Sequence, residues 1–111
     1  MRIKEIMEKT GLELLAGGES IDKELSGVYI CDLLSWVMSH SKKGDAWITV
    51  QTHSNIIAVA ALLELSCVIV PENIEVEEDT LRKADDEGIA VLRSSLDAYA
   101  LAKEFCRMGI E

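Results

Sequence analysis

The most polar segment in the middle of the chain is Gln51-Thr52-His53-Ser54-Asn55. It stands between an apolar run at 46–50 and an apolar helical pattern at 55–64. In parallel α/β proteins such a strand-to-helix join commonly binds ligands, because free helix N–H groups and the helix dipole point into a crevice there. The pattern therefore predicts a ligand site formed by Gln51, Thr52, His53, Ser54 and Asn55. The alternative interpretation is that Thr52 or Ser54 only caps the helix and the other side chains are solvated.

Two other strand-to-helix joins carry polar residues, Cys31-Asp32 and Ser94-Ser95. If these strands are parallel, all three joins open on the same edge of the sheet. We therefore expect Asp32, Ser94 and Ser95 to line one shallow polar crevice together with the central polar turn. Cys31 is not expected to be a reactive thiolate, because the neighbouring Asp32 carboxylate opposes ionisation of the thiol.

The sequence contains no recognisable catalytic constellation. No third group can be assigned to orient His53, and the phosphate-loop, Gly-x-Gly-x-x-Gly and Gly-x-Ser-x-Gly patterns are absent. No Cys-x-x-Cys or His-x-x-x-His spacing indicates a metal, and the acidic run 75–79 is typical of a solvated helix face. We predict no catalytic residue, no cofactor and no metal. The alternative is a small enzyme with His53 as acid/base, assisted by Asp32 or Cys31.

Composition narrows the possible partners. A chain of 111 residues fits one compact domain, and a hydrophobic content of 49% predicts a sizeable core. The formal net charge of −9 argues against binding to nucleic acid or to a membrane surface. No apolar run approaches the ~20 residues of a membrane span. The N-terminal residues do not resemble a signal peptide, and three widely spaced cysteines fit a reducing compartment. We expect a cytoplasmic protein.

Apolar runs and helical patterns predict the architecture. From Gly27 onward strands and helices alternate, with turns of only a few residues. This order predicts a mostly parallel sheet with helices on both faces and right-handed crossovers. The direction of the first strand stays open. The predicted strands lie at 12–16, 27–30, 46–50, 67–70 and 89–92.

The helix predicted at 55–64 is apolar on all of its faces. A helix that covers one side of a small sheet normally shows a polar stripe to water. Either neighbouring elements cover this helix within one subunit, or it forms a homodimer interface. The homodimer interpretation assigns six residues to that interface: Ile56, Ile57, Val59, Ala60, Leu63 and, from the preceding helix, Trp36.

Three strings resemble the DRTGG-domain family, which is related to the N-terminal domain of bacterial HPr kinase/phosphorylase. They are SGVYICDLLSWVM at 26–38, DAWITVQTHSNIIAVA at 45–60, and the closing GIAVL…AYA at 88–100. The resemblance implies a single DRTGG-like domain over residues 1–111, a three-layer α/β/α sandwich with a mostly parallel sheet of about five strands. It also implies an accessory or regulatory role, often with self-association. Kinase activity is not implied, because the related kinase carries its phosphate loop in a separate domain.

The sequence as a whole favours a non-catalytic regulatory module that acts as a homodimer. Its expected partner is a small phosphorylated or nucleotide ligand, or another protein onto which it docks. The first alternative is a structural subunit of a larger complex, and the second is the small enzyme that uses His53.

Overall fold

The computed structural model describes residues 1–110. No helix within that range combines the length and the apolar character that crossing a membrane requires. A single turn of 3₁₀-helix spans Gly18–Ser20. The other elements, in chain order, are α1 (Ile3–Thr10), β1 (Glu13–Ala16), β2 (Gly27–Ile30), α2 (Leu34–His40), β3 (Asp45–Ile48), α3 (Asn55–Leu62), β4 (Cys67–Val70), α4 (Glu78–Glu87), β5 (Ala90–Arg93) and α5 (Ala98–Arg107).

The five strands form one sheet in the order β1-β5-β4-β3-β2. Strands β2, β3, β4 and β5 run parallel to one another, whereas β1 pairs antiparallel with β5. The predicted five-stranded, mostly parallel α/β architecture is thereby confirmed. Because β1 is antiparallel, its carboxyl end lies at the end of the sheet where the four parallel strands begin. Residues 17–26 therefore run from β1 to β2 along that end of the sheet, without a crossover helix.

Side-chain and backbone hydrogen bonds attach the 17–26 connection to the amino-terminal edge of the sheet. Ser20 Oγ donates to the carbonyl oxygen of Gly88, just before β5. Ser66 Oγ, just before β4, donates to the Glu24 carbonyl oxygen at 3.0 Å. The Ser26 N–H donates to the carbonyl oxygen of Gly44, just before β3, at 3.0 Å. The connection thus passes the starts of three parallel strands and covers them.

Two hydrophobic cores lie on opposite faces of the sheet. One contains the inward residues of α2, α3 and α4, packed against Trp47, Val68 and Val91 of the strands. The other contains residues of α1 and α5, packed against Ile48 and Ile69. Because β2 to β5 are adjacent in chain order, their right-handed crossovers all advance in one direction and place three helices on the same face. The result is the three-layer α/β/α sandwich.

This winding explains the apolar helix α3. It is the middle helix of its layer, with the sheet beneath it and α2 and α4 on either side. Ile56, Ile57 and Ala60 are therefore fully buried within one chain, and Val59 is only 8% exposed. These four side chains belong to the core of a single subunit, so a surface between two copies cannot be formed by them. Leu63 is half-buried.

Candidate functional site

The ends of β2 and β3 are joined by hydrogen bonds centred on Asp32. Its Oδ1 accepts from the Thr49 hydroxyl and from the Val50 N–H, both at 2.9 Å. The Gln51 side-chain amide donates to the Asp32 carbonyl oxygen, also at 2.9 Å. Asp32 therefore does not cap α2, whose first flanking residue is Leu33. Its carboxylate instead fixes the start of the Gln51–Asn55 turn.

Thr52, the next residue of the turn, is hydrogen-bonded to residues at the start of α4. Thr80, which is completely buried, donates its hydroxyl proton to the Thr52 carbonyl oxygen at 2.6 Å. The Thr52 hydroxyl in turn donates to Glu77 Oε2 at 3.4 Å. The turn is consequently held on both sides, by the end of β2 and by the start of α4.

His53 is exposed and accepts hydrogen bonds from the first two backbone N–H groups of the helix that follows it. Its Nδ1 accepts a hydrogen bond from the Asn55 N–H at 3.2 Å, and its carbonyl oxygen accepts from the Ile56 N–H at 3.1 Å. The ring proton of the neutral imidazole then lies on Nε2. Ser54 occupies the N-cap position of α3, without a side-chain capping bond, and the Asn55 side chain is exposed. The part of the turn that faces solvent is thus His53 and Asn55.

Ser94 and Ser95 lie on the same edge of the sheet but apart from the central turn. They follow β5, which is separated from β3 by β4, a distance of roughly 10 Å across two strand spacings. Ser94 Oγ accepts from the Leu96 N–H at 3.0 Å, and the Ser94 carbonyl oxygen accepts from Asn73. The turn after β4 therefore contacts Ser94. The structure brings Asp32 together with Gln51 and Thr52, and leaves Ser94 and Ser95 in a separate group.

The two larger surface cavities lie towards the opposite, amino-terminal edge of the sheet. One of about 410 Å³ is lined by Lys23, Lys43 and Glu64 together with apolar residues of α3. Glu64 accepts a hydrogen bond from Lys43 Nζ at 2.9 Å and raises the pKa of that lysine. The second, of about 620 Å³, runs beside β2. A basic pair such as Lys42-Lys43 is typical of the last turn of a helix, so the sequence alone does not indicate either cavity.

A third cavity of about 400 Å³ lies at the start of α4 and includes Glu77, the hydrogen-bond partner of Thr52. None of the three is lined by residues of the Gln51–Asn55 turn.

Helix α2 and its N-cap residue expose three apolar side chains. Leu33 is 61% exposed, Trp36 52% and Met38 47%. The Trp36 ring stacks on His40, with centroids 4.0 Å apart and an interplanar angle of 18°. Of the six predicted interface residues, Trp36 is the one with a largely exposed side chain. Leu62, which was not predicted, is 69% exposed on α3.

The sequence model of the DRTGG domain matches residues 5–108, nearly the whole chain. The chain belongs to the DRTGG-domain family. The resemblance noted in the sequence is thereby confirmed. No curated protein gave a significant match.

Among solved structures, this DRTGG domain is similar to the CBS and DRTGG domains of the regulatory region of Clostridium perfringens pyrophosphatase, crystallised with the activator diadenosine tetraphosphate. The TM-score is 0.70 and the sequence identity 17%, over 92% of this chain and 44% of that one. The likeness shows a shared fold. The present chain spans less than half the length of that structure.

Proposed function

We propose that this single DRTGG domain, spanning residues 1–111, is a non-catalytic regulatory module of the cytoplasm. It senses a small phosphorylated or nucleotide ligand at the Gln51–Asn55 turn and acts as a homodimer. The observation that carries the proposal is the position of Asp32. This residue holds the start of the turn through Val50 and Gln51, and Leu33 and the exposed apolar side of α2 follow it directly along the chain.

The class of ligand is supported by the relative and by the exposed groups of the turn. The similar pyrophosphatase region binds diadenosine tetraphosphate as an activator. In this chain the exposed His53 and Asn55 side chains offer N–H donors beside the amino terminus of α3, where the helix dipole favours an anion. The proposed site comprises Gln51 to Asn55 with Asp32 as a positioning residue, and it leaves out Ser94 and Ser95.

Ligand binding would reach the association surface through the Asp32 hydrogen bonds. A ligand that binds the Gln51 side chain would lengthen or break the hydrogen bond between its amide and the Asp32 carbonyl oxygen. Because Leu33, the N-cap residue of α2, follows Asp32 directly, the loss of this bond would shift the position of Leu33. A ligand with different affinities for the free and associated states then shifts the equilibrium between them.

Thermal denaturation with a defined set of ligands tests the sensing function. Diadenosine tetraphosphate, ATP, AMP and inorganic phosphate are each titrated against the native chain. A ligand present at 100 times its dissociation constant stabilises a protein by about 2.7 kcal/mol, which shifts the melting temperature of a domain of this size by about 10 °C. His53→Ala should remove that shift.

A residue of the opposite layer supplies the control. Lys9 is exposed on α1, in the layer that contains neither the turn nor α2, so Lys9→Ala should keep the ligand-induced shift. Absence of stabilisation by all four ligands would contradict the sensing function. The module would then act only by docking onto another protein through the exposed apolar residues of α2.

The structural-subunit alternative is favoured by the same exposed side chains of α2, because a permanent partner would cover them equally well. It differs in one expectation. A purely structural subunit gives no stabilisation with nucleotides, yet loses its assembly when Trp36 is replaced.

A further inference from the structure

The two edges of the sheet differ in how they are protected against pairing with another chain. Edge strand β1 contains a bulge between Leu14 and Ala16, and its Glu13 forms an ion pair with Arg93. Bulges and charged side chains are the usual means of protecting an edge. Edge strand β2, Gly27-Val28-Tyr29-Ile30, contains no charge and no proline. Its ladder with β3 is regular over all four residues.

The outward backbone groups of β2 follow from that ladder. The Cys31 N–H donates to the Ile48 carbonyl oxygen at 3.3 Å, so Cys31 faces β3. In a parallel ladder alternate residues direct their N–H and C=O groups to the same neighbour. Gly27 and Tyr29 then face β3 as well, and Val28 and Ile30 direct their backbone groups away from the sheet. The edge therefore offers two N–H donors and two carbonyl acceptors to an added strand.

The cavity beside this edge carries positive charge. It measures about 620 Å³ and is lined by the four consecutive residues Ser26–Tyr29 on one side. On the other side lie His40, Lys42 and Lys43, at the carboxyl end of α2 and in the loop after it, with Asp45. Asp45 is only 8% exposed, and its Oδ2 accepts from the Lys42 N–H at 2.8 Å. Lys42 and Lys43 are both exposed, but Lys43 Nζ is paired with Glu64 at 2.9 Å. Lys42 is therefore the lysine of this groove that offers its charge to a partner, in a chain whose net charge is −9.

We propose that the free edge of β2 binds an extended, acidic segment of a partner protein as an additional strand. The backbone of Val28 and Ile30 would pair with that segment, and Lys42 would contact its carboxylates. Such strand addition takes its affinity from main-chain hydrogen bonds and its specificity from side chains at the groove. A second copy of this chain is the weaker candidate, because its own β2 edge would bring further lysines rather than carboxylates. This inference does not depend on the ligand site at His53.

A labelled peptide tests the proposal. The probe has the sequence of residues 72–79, Glu-Asn-Ile-Glu-Val-Glu-Glu-Asp, which alternates apolar and acidic side chains at 74–77. Fluorescence anisotropy should show saturable binding to the full chain, weakened by added salt. A second peptide, with Gln and Asn in place of the acids, should bind at least fivefold more weakly. In NMR spectra, bound peptide should slow hydrogen exchange of the Val28 and Ile30 amides.

Substitution of one lysine provides the matched comparison. Lys42→Glu should weaken binding of the acidic peptide at least threefold, because its charge lies in the groove. Lys9→Glu, at an exposed position on α1, should leave binding unchanged, and the circular dichroism spectra should show that both variants are folded.

Three results would overturn the proposal. The first is no saturable binding of the acidic peptide to the native chain, and the second is equal affinity for the acidic and neutral peptides. The third is strong protection of the Val28 and Ile30 amides in the free protein together with a dimeric mass. That result would mean that a second copy already covers the edge.

Discussion

The three cysteines lie in different environments, and their reactivity should differ accordingly. Cys67 in β4 is buried, and burial raises the pKa of its thiol to about 12. Cys106 on α5 is exposed. Since the thiolate is the reactive form, a raised pKa adds to the steric protection of Cys67.

A thiol-reactive chromophore at pH 8 should therefore modify Cys106 quickly and Cys67 only after unfolding. A pKa of about 12 instead of 9.0 leaves roughly 1,000-fold less thiolate at that pH. Mass spectrometry of the labelled chain, with Cys106→Ser as the control, measures the two rates. Rapid modification of Cys67 in the native protein would contradict the buried position of β4.

The candidate site shows what residue types can and cannot predict. Parallel strands bring their carboxyl ends to one edge, so the proximity of Asp32 to the central turn was predictable from the alternation of elements. The role of Asp32 was not. Its carboxylate could accept hydrogen bonds either from the start of the following helix or from the neighbouring strand. The register of β2 against β3 places it beside Thr49 and Val50, and this register cannot be read from the local sequence. Likewise, the separation of Ser94 follows from strand order, which local sequence does not encode.

Among the connecting elements, the loop after β1 depends on one glycine. Gly17 has φ +73°, and a Cβ atom at this position would overlap the backbone carbonyl of Ile89. The close approach lets the Gly17 N–H donate to Asp85 Oδ1 at 2.7 Å. It fixes the 17–26 connection against the end of α4.

Gly17→Ala should therefore lower the free energy of unfolding by more than Gly11→Ala. Both glycines have positive φ, at +73° and +70°, but no atom lies within 4 Å of a Cβ built on Gly11. Gly11→Ala should cost about 1–2 kcal/mol for the left-handed backbone alone. Gly17→Ala should cost a further ~1–3 kcal/mol for the overlap. Urea denaturation followed by circular dichroism measures both, and equal losses would contradict the close packing at Ile89.

Helix α3 shows the limit of prediction at the scale of elements. Its composition correctly indicated that something must cover it on nearly all sides. Whether the cover came from the same chain depended on how many helices share its face. That number follows from the strand order, in which β2 to β5 are consecutive neighbours. A reversal of winding after β3 would have left α3 with fewer neighbours, and the apolar pattern in its sequence would have been the same.

At the scale of the whole molecule, the proposed homodimer would use exposed apolar side chains of α2 and α3. Leu33, Trp36 and Met38 are exposed on or beside α2, and Leu62 is exposed on α3. Ile30, Val50 and Tyr99 are also exposed, but lie outside these two helices. A stable interface buries about 800 Å² on each partner, roughly one-seventh of the 5880 Å² surface of this chain. Large aromatic side chains commonly provide much of the binding energy of such a surface.

Sedimentation equilibrium at tens of micromolar should accordingly give twice the mass of one chain, and Trp36→Glu should raise the dissociation constant at least tenfold. The replacement places a carboxylate where the partner surface is apolar, and an unpaired buried charge is costly. Tyr99→Glu is the matched control, because Tyr99 is 73% exposed but lies on α5, in the opposite layer. If the native chain is monomeric, or if Tyr99→Glu separates the copies and Trp36→Glu does not, the association surface does not lie on α2. Circular dichroism spectra that match the spectrum of the native chain would show that both variants are folded, so that the change in mass arises between chains and not within one.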